Sequence, residues 1–489
     1  MTAVSELLFE TDWVGSRPVY YNEDTAAASH DINDVIAFAN IELDAEGLAS
    51  YLATGYSIFQ RTPVRGVRVM PPSSRLWRDE GGRLRLEDVP LDLDARLATR
   101  HSEDDVIDLL RARVQAAESA AEGEIVIPTS GGYDSRLLNL MVGDPSRVRS
   151  FTFGPTARQW DSTEVARARA LAGLLGTRWQ HVHLGPFHSH LDEWDDAFGP
   201  AVHAHGMYQL EFYSRVRALS TAGALVLSGL CGDGVAGSMD PVVDGPILGP
   251  RDVERLVYTG GMHADPEAAV LPHSGSLVEE YFERHRELLR SHRRRLIEEI
   301  RFRVLLTHYL LKVPELYGFR SDAPFLDIDV AAAMMTLPDE RRHRRRWVAE
   351  YLTSRGALLE DVSGDGRYWL YWPVMRRQPL APLDAELLAE VVRPDYVRWI
   401  NRTVGWRGLW YEGYERLGRR RGCRRAAAYL RTRGLRQRRL EAYHAYMTLR
   451  PLQRLLQKRD AARAGYHIEP TSRRQGVDAA GGEVFAERA

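Results

Sequence analysis

The segment Ser130-Gly131-Gly132-Tyr133-Asp134-Ser135 carries the residue types most directly suited to chemistry. Adjacent glycines let a backbone approach an anion and turn N–H groups toward it. Ser130 and Ser135 add hydroxyl donors. The segment follows the β-branched run EIVIPT (124–129) and precedes RLLNLMV (136–142), so it reads as strand, turn and helix start. A helix N-terminus there adds partial positive charge. Asp134 repels a phosphate by itself; it fits a phosphate loop if it holds a magnesium ion that binds the phosphates. The loop lacks the lysine of the GxxxxGK[ST] type. A bare Ser-Gly-Gly would read as a capped turn, but its place between a buried strand and an apolar helix start favours a phosphate site.

Other reactive side chains are few. Lys312 and Lys458 are the only lysines, every other fixed cation being arginine. That bias matches codon usage in a GC-rich genome, and it makes a lysine near a site notable, because a lysine shifts its pKa readily when buried. Lys312 reads equally as a site residue or as a solvated helix lysine. The two cysteines, Cys231 and Cys423, give neither a disulfide framework nor a metal-ligand pattern. Cys231 reads as a small packed side chain with no activating base beside it. Tyr208 and Glu211 read as helix packing ahead of pocket lining.

The elements that must position the loop alternate. HSEDDVIDLLRARVQAA places Val106, Leu110 and Val114 on one helical face. After EIVIPT come strands at RSFTFG, RWQHVHL and ALVLSG. A helix is expected from Asp161, with Glu164 as the far side of a capping box and Gly176 past its end. Alternation of this kind predicts a parallel sheet flanked by helices. Up to about Asp94 the chain reads as short paired strands broken by Pro71-Pro72 and Gly81-Gly82, with a short helix capped by Asp44. Beyond Leu277 the pattern is mostly helical, Arg416 to Tyr443 is strongly basic, and the chain from Ala461 is polar and Gly-rich.

With 489 residues, two or three domains are expected. The composition, 44% hydrophobic and 27% charged, is that of a globular protein. A net charge of -2 gives the whole molecule no pull toward nucleic acid. No signal peptide is legible at the N-terminus and no apolar run reaches membrane-spanning length, so a cytoplasmic protein is expected.

Several segments together resemble the ATP pyrophosphatases, and within them the asparagine synthetases and their relatives. SGGYDSRLL is similar to the family's pyrophosphate loop, RSFTFG to the strand behind the adenine, LSGLCGDGVAGSM (227–239) to the second phosphate and magnesium loop, and APFLDIDVAAAMMTLP (323–338) to its PFLD helix entry. The segment 43–77 resembles the linker into the synthetase domain. The resemblance covers most of the chain to about Arg355. It implies ATP and Mg2+ as cofactors, with Asp134 and Asp233 as metal ligands. Ser130, Gly131, Gly132, Asp134, Ser135, Phe153, Gly229 and Gly232 would bind ATP and pyrophosphate. It implies that a carboxylate is adenylylated and its acyl group passed to an amine, with AMP and pyrophosphate released.

Three departures shape the expectation. The glutamine-hydrolysing domain of asparagine synthetases starts with a nucleophilic cysteine; here Met1-Thr2-Ala3-Val4 stands, and Asp12 to Glu23 resembles only the later part of that domain. Thr2 as a nucleophile lacks the flanking core, so no glutaminase is expected. The glutamate that follows LSG in asparagine synthetases is Leu230, as relatives that close a ring with the substrate's own amine also replace it. A family lysine near the phosphates is matched by Arg346 or a neighbour, and Lys312 falls where the family has its LLVKVDR segment. Lys312 and Arg346 are therefore the catalytic candidates.

The expected fold is α/β, a parallel sheet flanked by helices of the ATP pyrophosphatase type. A truncated β-rich domain spans 1–95, the synthetase domain 96–460 and a tail 461–489. The expected function is amide formation, including ring closure as in β-lactam synthetases and lasso-peptide macrolactam synthetases. An ammonia-dependent amidating synthetase and a non-catalytic scaffold are the alternatives. The partners are small-molecule or peptide carboxylates and amines, with a peptide leader or partner protein on the basic C-terminal region as the alternative to an exposed arginine-rich helix.

Overall fold

Ile125, Val126 and Ile127 are β-branched and fully buried, the composition of a strand covered on both faces. In the computed structural model they form the middle of the largest sheet. The structure describes residues 6–156, 158–247, 249–366, 378–405 and 432–466. In chain order the strands are β1 (Glu6–Glu10), β2 (Tyr20–Asn22), β3 (Ala28–Ser29), β4 (Val67–Val69), β5 (Ser74–Arg78), β6 (Leu84–Asp88), β7 (Ile125–Pro128), β8 (Val148–Thr152), β9 (Arg178–His181), β10 (Leu225–Leu227) and β11 (Arg320–Asp322). The first six make two small antiparallel sheets, β1-β5-β6 and β3-β2-β4. The last five make a parallel sheet in the order β11-β10-β7-β8-β9.

Helices fill the crossovers: Tyr133–Met141 between β7 and β8, Thr163–Leu175 between β8 and β9, and Tyr208–Leu219 before β10. Their ends are chemically specified. Ser102 and Asp105 form a reciprocal capping box on the helix Glu103–Ser119. Asp44 caps Ala45–Thr54, and Gly176 closes Thr163–Leu175 in the left-handed conformation. The cap at the start of that last helix differs from expectation. Ser162 caps it, because Asp161 is drawn into a 3-10 turn with Gln159.

Two further differences concern the second half. β11 has no apolar run to announce it: Arg320-Ser321-Asp322 is a polar edge strand made by pairing with Leu225–Leu227. The helical pattern from Leu277 divides at Ser291, whose side chain caps a new helix, His292–Thr307. The C-terminal helix Thr432–Arg463 buries Tyr443, Tyr446, Leu449, Leu452 and Leu456. Arg450 on it pairs with Asp192 and Asp195, and Arg459 with Glu390. Most of the basic segment, 406–431, lies outside the described residues, as do Cys423 and the tail from 467.

One hydrophobic cluster runs from Trp13, Tyr51 and Tyr56 through the sheet to Leu456, so the N-terminal part shares its core with the rest. Among the described residues no helix is long and apolar enough to cross a membrane.

Candidate functional site

The strand order creates the site. From β7 the chain moves outward to β8 and β9, then crosses back to lay β10 and β11 on the other side of β7. The turns after β7 and β10 therefore leave in opposite directions and open a crevice beyond the carboxyl ends of those strands, the place where open α/β sheets bind ligands. Residues 129–135 form one wall and residues 228–238 the other.

The first wall is self-supporting. Ser130 N–H donates to Ser135 Oγ (3.1 Å), Gly132 N–H to Ser130 Oγ (3.1 Å), and Ser135 Oγ donates to the Ser130 carbonyl (3.1 Å). The two hydroxyls thus hold the turn, and Ser130 is also exposed. Gly131 packs on the next helix; a Cβ there would fall 3.2 Å from Arg167 Cδ. Arg136 lies beneath the loop, fully buried. It donates to the carbonyls of Gly131 (2.5 Å), Ala357 (3.2 Å) and Leu358, and pairs with Glu360 (3.2 Å).

The two loops meet at Asp134. Its carboxylate accepts from the Asp233 backbone N–H, and the Asp233 carboxylate lies beside it. Burial first, then the Asp233 charge, push the Asp134 carboxyl up, against the opposing pull of Arg345 and Arg303. Glycines make the approach possible. A Cβ on Gly229 would fall 3.3 Å from Asp134 Cβ. One on Gly232 would fall 3.0 Å from Asp134 Cγ and 2.8 Å from the Phe325 ring. Asp233 is held by Arg303 Nη1 (2.8 and 3.0 Å) and accepts from Ser238 Oγ (3.0 Å). Arg303 leans on the Tyr258 ring and is 3.9 Å from Glu299, a fully buried acid whose pKa burial pushes up to about 7.

Two carboxylates forced together this way call for a cation, and their oxygens are the hard ligands that magnesium takes. Two carboxylates match the one or two that magnesium takes beside phosphates, and among the described residues no group of three or more His, Cys, Asp or Glu side chains is placed to hold a metal without them. Arg345 and Arg303 supply the positive charge at Asp134 and Asp233 respectively.

The other expected residues divide. Arg346 is exposed, and its neighbour Arg345 reaches Asp134 (3.4 Å) while lying over the Tyr133 ring. The cause is the backbone: Arg344 and Arg345 both have left-handed φ values, 52° and 54°. Lys312 is not with the loops. Its Nζ donates to the Ala197 carbonyl (2.7 Å), approaches Asp31 (3.8 Å) and lies over the Phe198 ring. Phe153 is half-buried, its ring against Tyr208 and Phe212 at 5.5 Å each. Glu211 is tied to Arg215 and His190 and accepts from Gly185 N–H. Leu230 and Cys231 are buried in the core, and burial pushes the Cys231 thiol up.

No protein-family model matches this chain, and no curated protein matches it. Arg136, Glu299 and Arg303 stand around the two loops without any signal in the local sequence. Each is one arginine or acid among many, distinguished only by long-range contacts; Arg345 lies in the Arg-rich run Arg341–Arg346, where Arg346 or a neighbour is expected, and is the one beside Asp134.

Proposed function

We propose that this chain is an ATP-dependent synthetase of the ATP pyrophosphatase type, resembling asparagine synthetases, that adenylylates a carboxylate and joins it to an amine. The observation that carries the reading is the pairing of Asp134 and Asp233 across the switch-point crevice, where an anion-binding turn faces a second glycine-rich turn. Each carboxylate is balanced by one arginine, Asp134 by Arg345 and Asp233 by Arg303, while the two acids lie together. Such an arrangement makes sense when the groups serve a cation and its phosphates.

In this reading Asp134 and Asp233 hold magnesium, which when bound neutralises phosphate charge. The N–H groups of the first turn and the N-terminus of Tyr133–Met141 face the phosphates. Arg345, paired with Asp134, is a cation that can offset negative charge as it moves onto pyrophosphate. The chain's contribution to rate is positioning and charge neutralisation. Leu230 offers no proton acceptor, which favours an amine carried by the substrate over free ammonia. Ring closure in a peptide or small amino acid is the substrate chemistry this favours.

The test supplies magnesium-ATP and fractionated extracts containing candidate acids, and separates AMP and pyrophosphate from ADP and phosphate. Parent protein is expected to release AMP and pyrophosphate. Asp134→Asn is expected to lose at least about 100-fold, the scale of losing a preorganised charge contact. ADP as product, or equal turnover by the variant, would sink the proposal.

A further inference from the structure

Lys312 belongs to a different place in the molecule. A cavity of about 240 Å³ opens between the N-terminal segment and the helix Tyr309–Leu316, with Lys312 in its wall. At its rim Arg17 Nη2 and Glu315 Oε1 face each other at 2.7 Å, with the side chains 47% and 36% exposed. Arg17 also donates to the Ser321 carbonyl (2.8 Å), so its guanidinium stays in place if Glu315 turns away. Lys312 has one short hydrogen bond, to Ala197 at 2.7 Å; its next contacts are at 3.4 Å to His30 and 3.8 Å to Asp31. An ammonium has three donors, so Lys312 keeps capacity for a further acceptor. Leu311, Leu316 and Pro18 supply apolar wall. His308, also in the wall, has its Nδ1 committed to the Leu305 carbonyl.

We propose that this cavity binds a free α-amino acid with an apolar side chain. Its volume, below the roughly 300–1,000 Å³ of sites for drug-sized molecules, is room for one amino acid. The charges decide the rest. An exposed pair such as Arg17–Glu315 is worth about 0–1 kcal/mol, so a ligand can replace it at small cost. A simple carboxylate taken by Arg17 leaves Glu315 without a partner charge, and a simple amine taken by Glu315 leaves Arg17 without one; both side chains are exposed, so water takes up the released group and each such ligand gains one charged contact only. A zwitterion satisfies both, its carboxylate on Arg17 and Lys312 and its ammonium on Glu315. The side chain then lies along Leu311 and Leu316. The proposal does not depend on the nucleotide reading.

The experiment measures the melting temperature and the binding heat of the full chain with leucine, valine, methionine and phenylalanine. Leucinamide and 4-methylpentanoate, which each lack one charge, are the controls. At least one of the four amino acids is expected to raise the melting temperature at about 10 mM, as selective binding to the folded state requires. Neither control should do so. Arg17→Gln and Glu315→Gln, both at exposed positions, should melt as the parent does and bind at least about tenfold more weakly, or about 1.4 kcal/mol. Asp134→Asn should bind as the parent does, which separates this cavity from the phosphate loops. The proposal is overturned by no shift with any of the four, by equal shifts with either control, or by undiminished binding in both rim variants.

Discussion

At the scale of the residue, the site is governed by what has been left out. Gly232 has ordinary backbone angles, so the obstacle to a side chain there is space alone. An added methyl would meet the buried Phe325 ring at 2.8 Å and Asp134 Cγ at 3.0 Å. Phe325 is fully enclosed and cannot give way. We expect Gly232→Ala to cost about 1–3 kcal/mol, the range for overpacking a filled interior. Gly173 is the counterpart: it sits inside the helix Thr163–Leu175 with nothing within 4 Å of an added Cβ. Gly173→Ala should gain about 0.5–1 kcal/mol through helix propensity. Urea unfolding of both variants checks the pair. An unchanged midpoint for Gly232→Ala would mean that the loops are not crowded at Asp134.

At the scale of the element, the segment leading into the helix Arg346–Ser354 carries stored strain. Arg344 (φ 52°, ψ 26°) and Arg345 (φ 54°, ψ 42°) are consecutive left-handed residues with side chains. That conformation costs an L-residue about 1–2 kcal/mol. It persists because both flanks are anchored. Arg342 is fully buried, bonded to the carbonyls of Val235 (2.6 Å) and Met334 (2.7 Å) and paired with Asp240. Trp347 donates to the Ala236 carbonyl (3.1 Å). The strained pair turns Arg345 toward Asp134, and strain of this kind concentrates at functional sites. Arg344→Gly should therefore raise stability by up to about 1 kcal/mol, since glycine accepts this conformation freely and loses part of the gain to unfolded-state entropy. Thermal unfolding would show it. A destabilised Arg344→Gly would mean that the exposed arginine makes a contact worth more than the strain.

At the scale of the molecule, the interior carries an unusual load of imidazole. Burial pulls the pKa of His203 down to about 3 and those of His181, His188 and His308 to about 4, and pushes His205 and His444 down as well. The unfolded value is about 6.5. Between about pH 6.5 and 4 the unfolded chain takes up protons that the folded chain does not, so these groups withdraw stability as pH falls. Asp134, Asp195 and Glu299, pushed up to about 7 chiefly by burial, act oppositely. Their folded forms take a proton from about pH 7 downward, while the unfolded carboxyls wait until about pH 4. Six imidazoles outweigh three carboxyls and His190, which, against the pull of burial, the carboxylates of Glu193 and Glu211 hold up to about 9, so the urea midpoint should fall from pH 7 to pH 5, with a smaller fall in His188→Gln. A midpoint that rises on acidification would show the carboxyls dominating.

Local chemistry was enough to read much of the architecture. A buried β-branched run, an alternation of strand and helix, and caps such as Asp44, Ser102 and Gly176 are legible because each depends on residues a few positions apart. The same holds for the glycine-rich turns at 130–135 and 227–239, whose composition marks them without any partner. What only the tertiary structure decided is every relation between distant segments. β11 exists because Arg320–Asp322 pairs with β10, not because its own residues favour a strand. Arg345 rather than Arg346 reaches Asp134 because anchors at Arg342 and Trp347 impose a left-handed turn between them. Lys312, conspicuous in a chain with two lysines, lies in a separate cavity because its helix faces the N-terminal segment. Spacing along the chain records periodicity and local capping; it does not record which face of one element meets another, and that is where the charges of this protein find their partners.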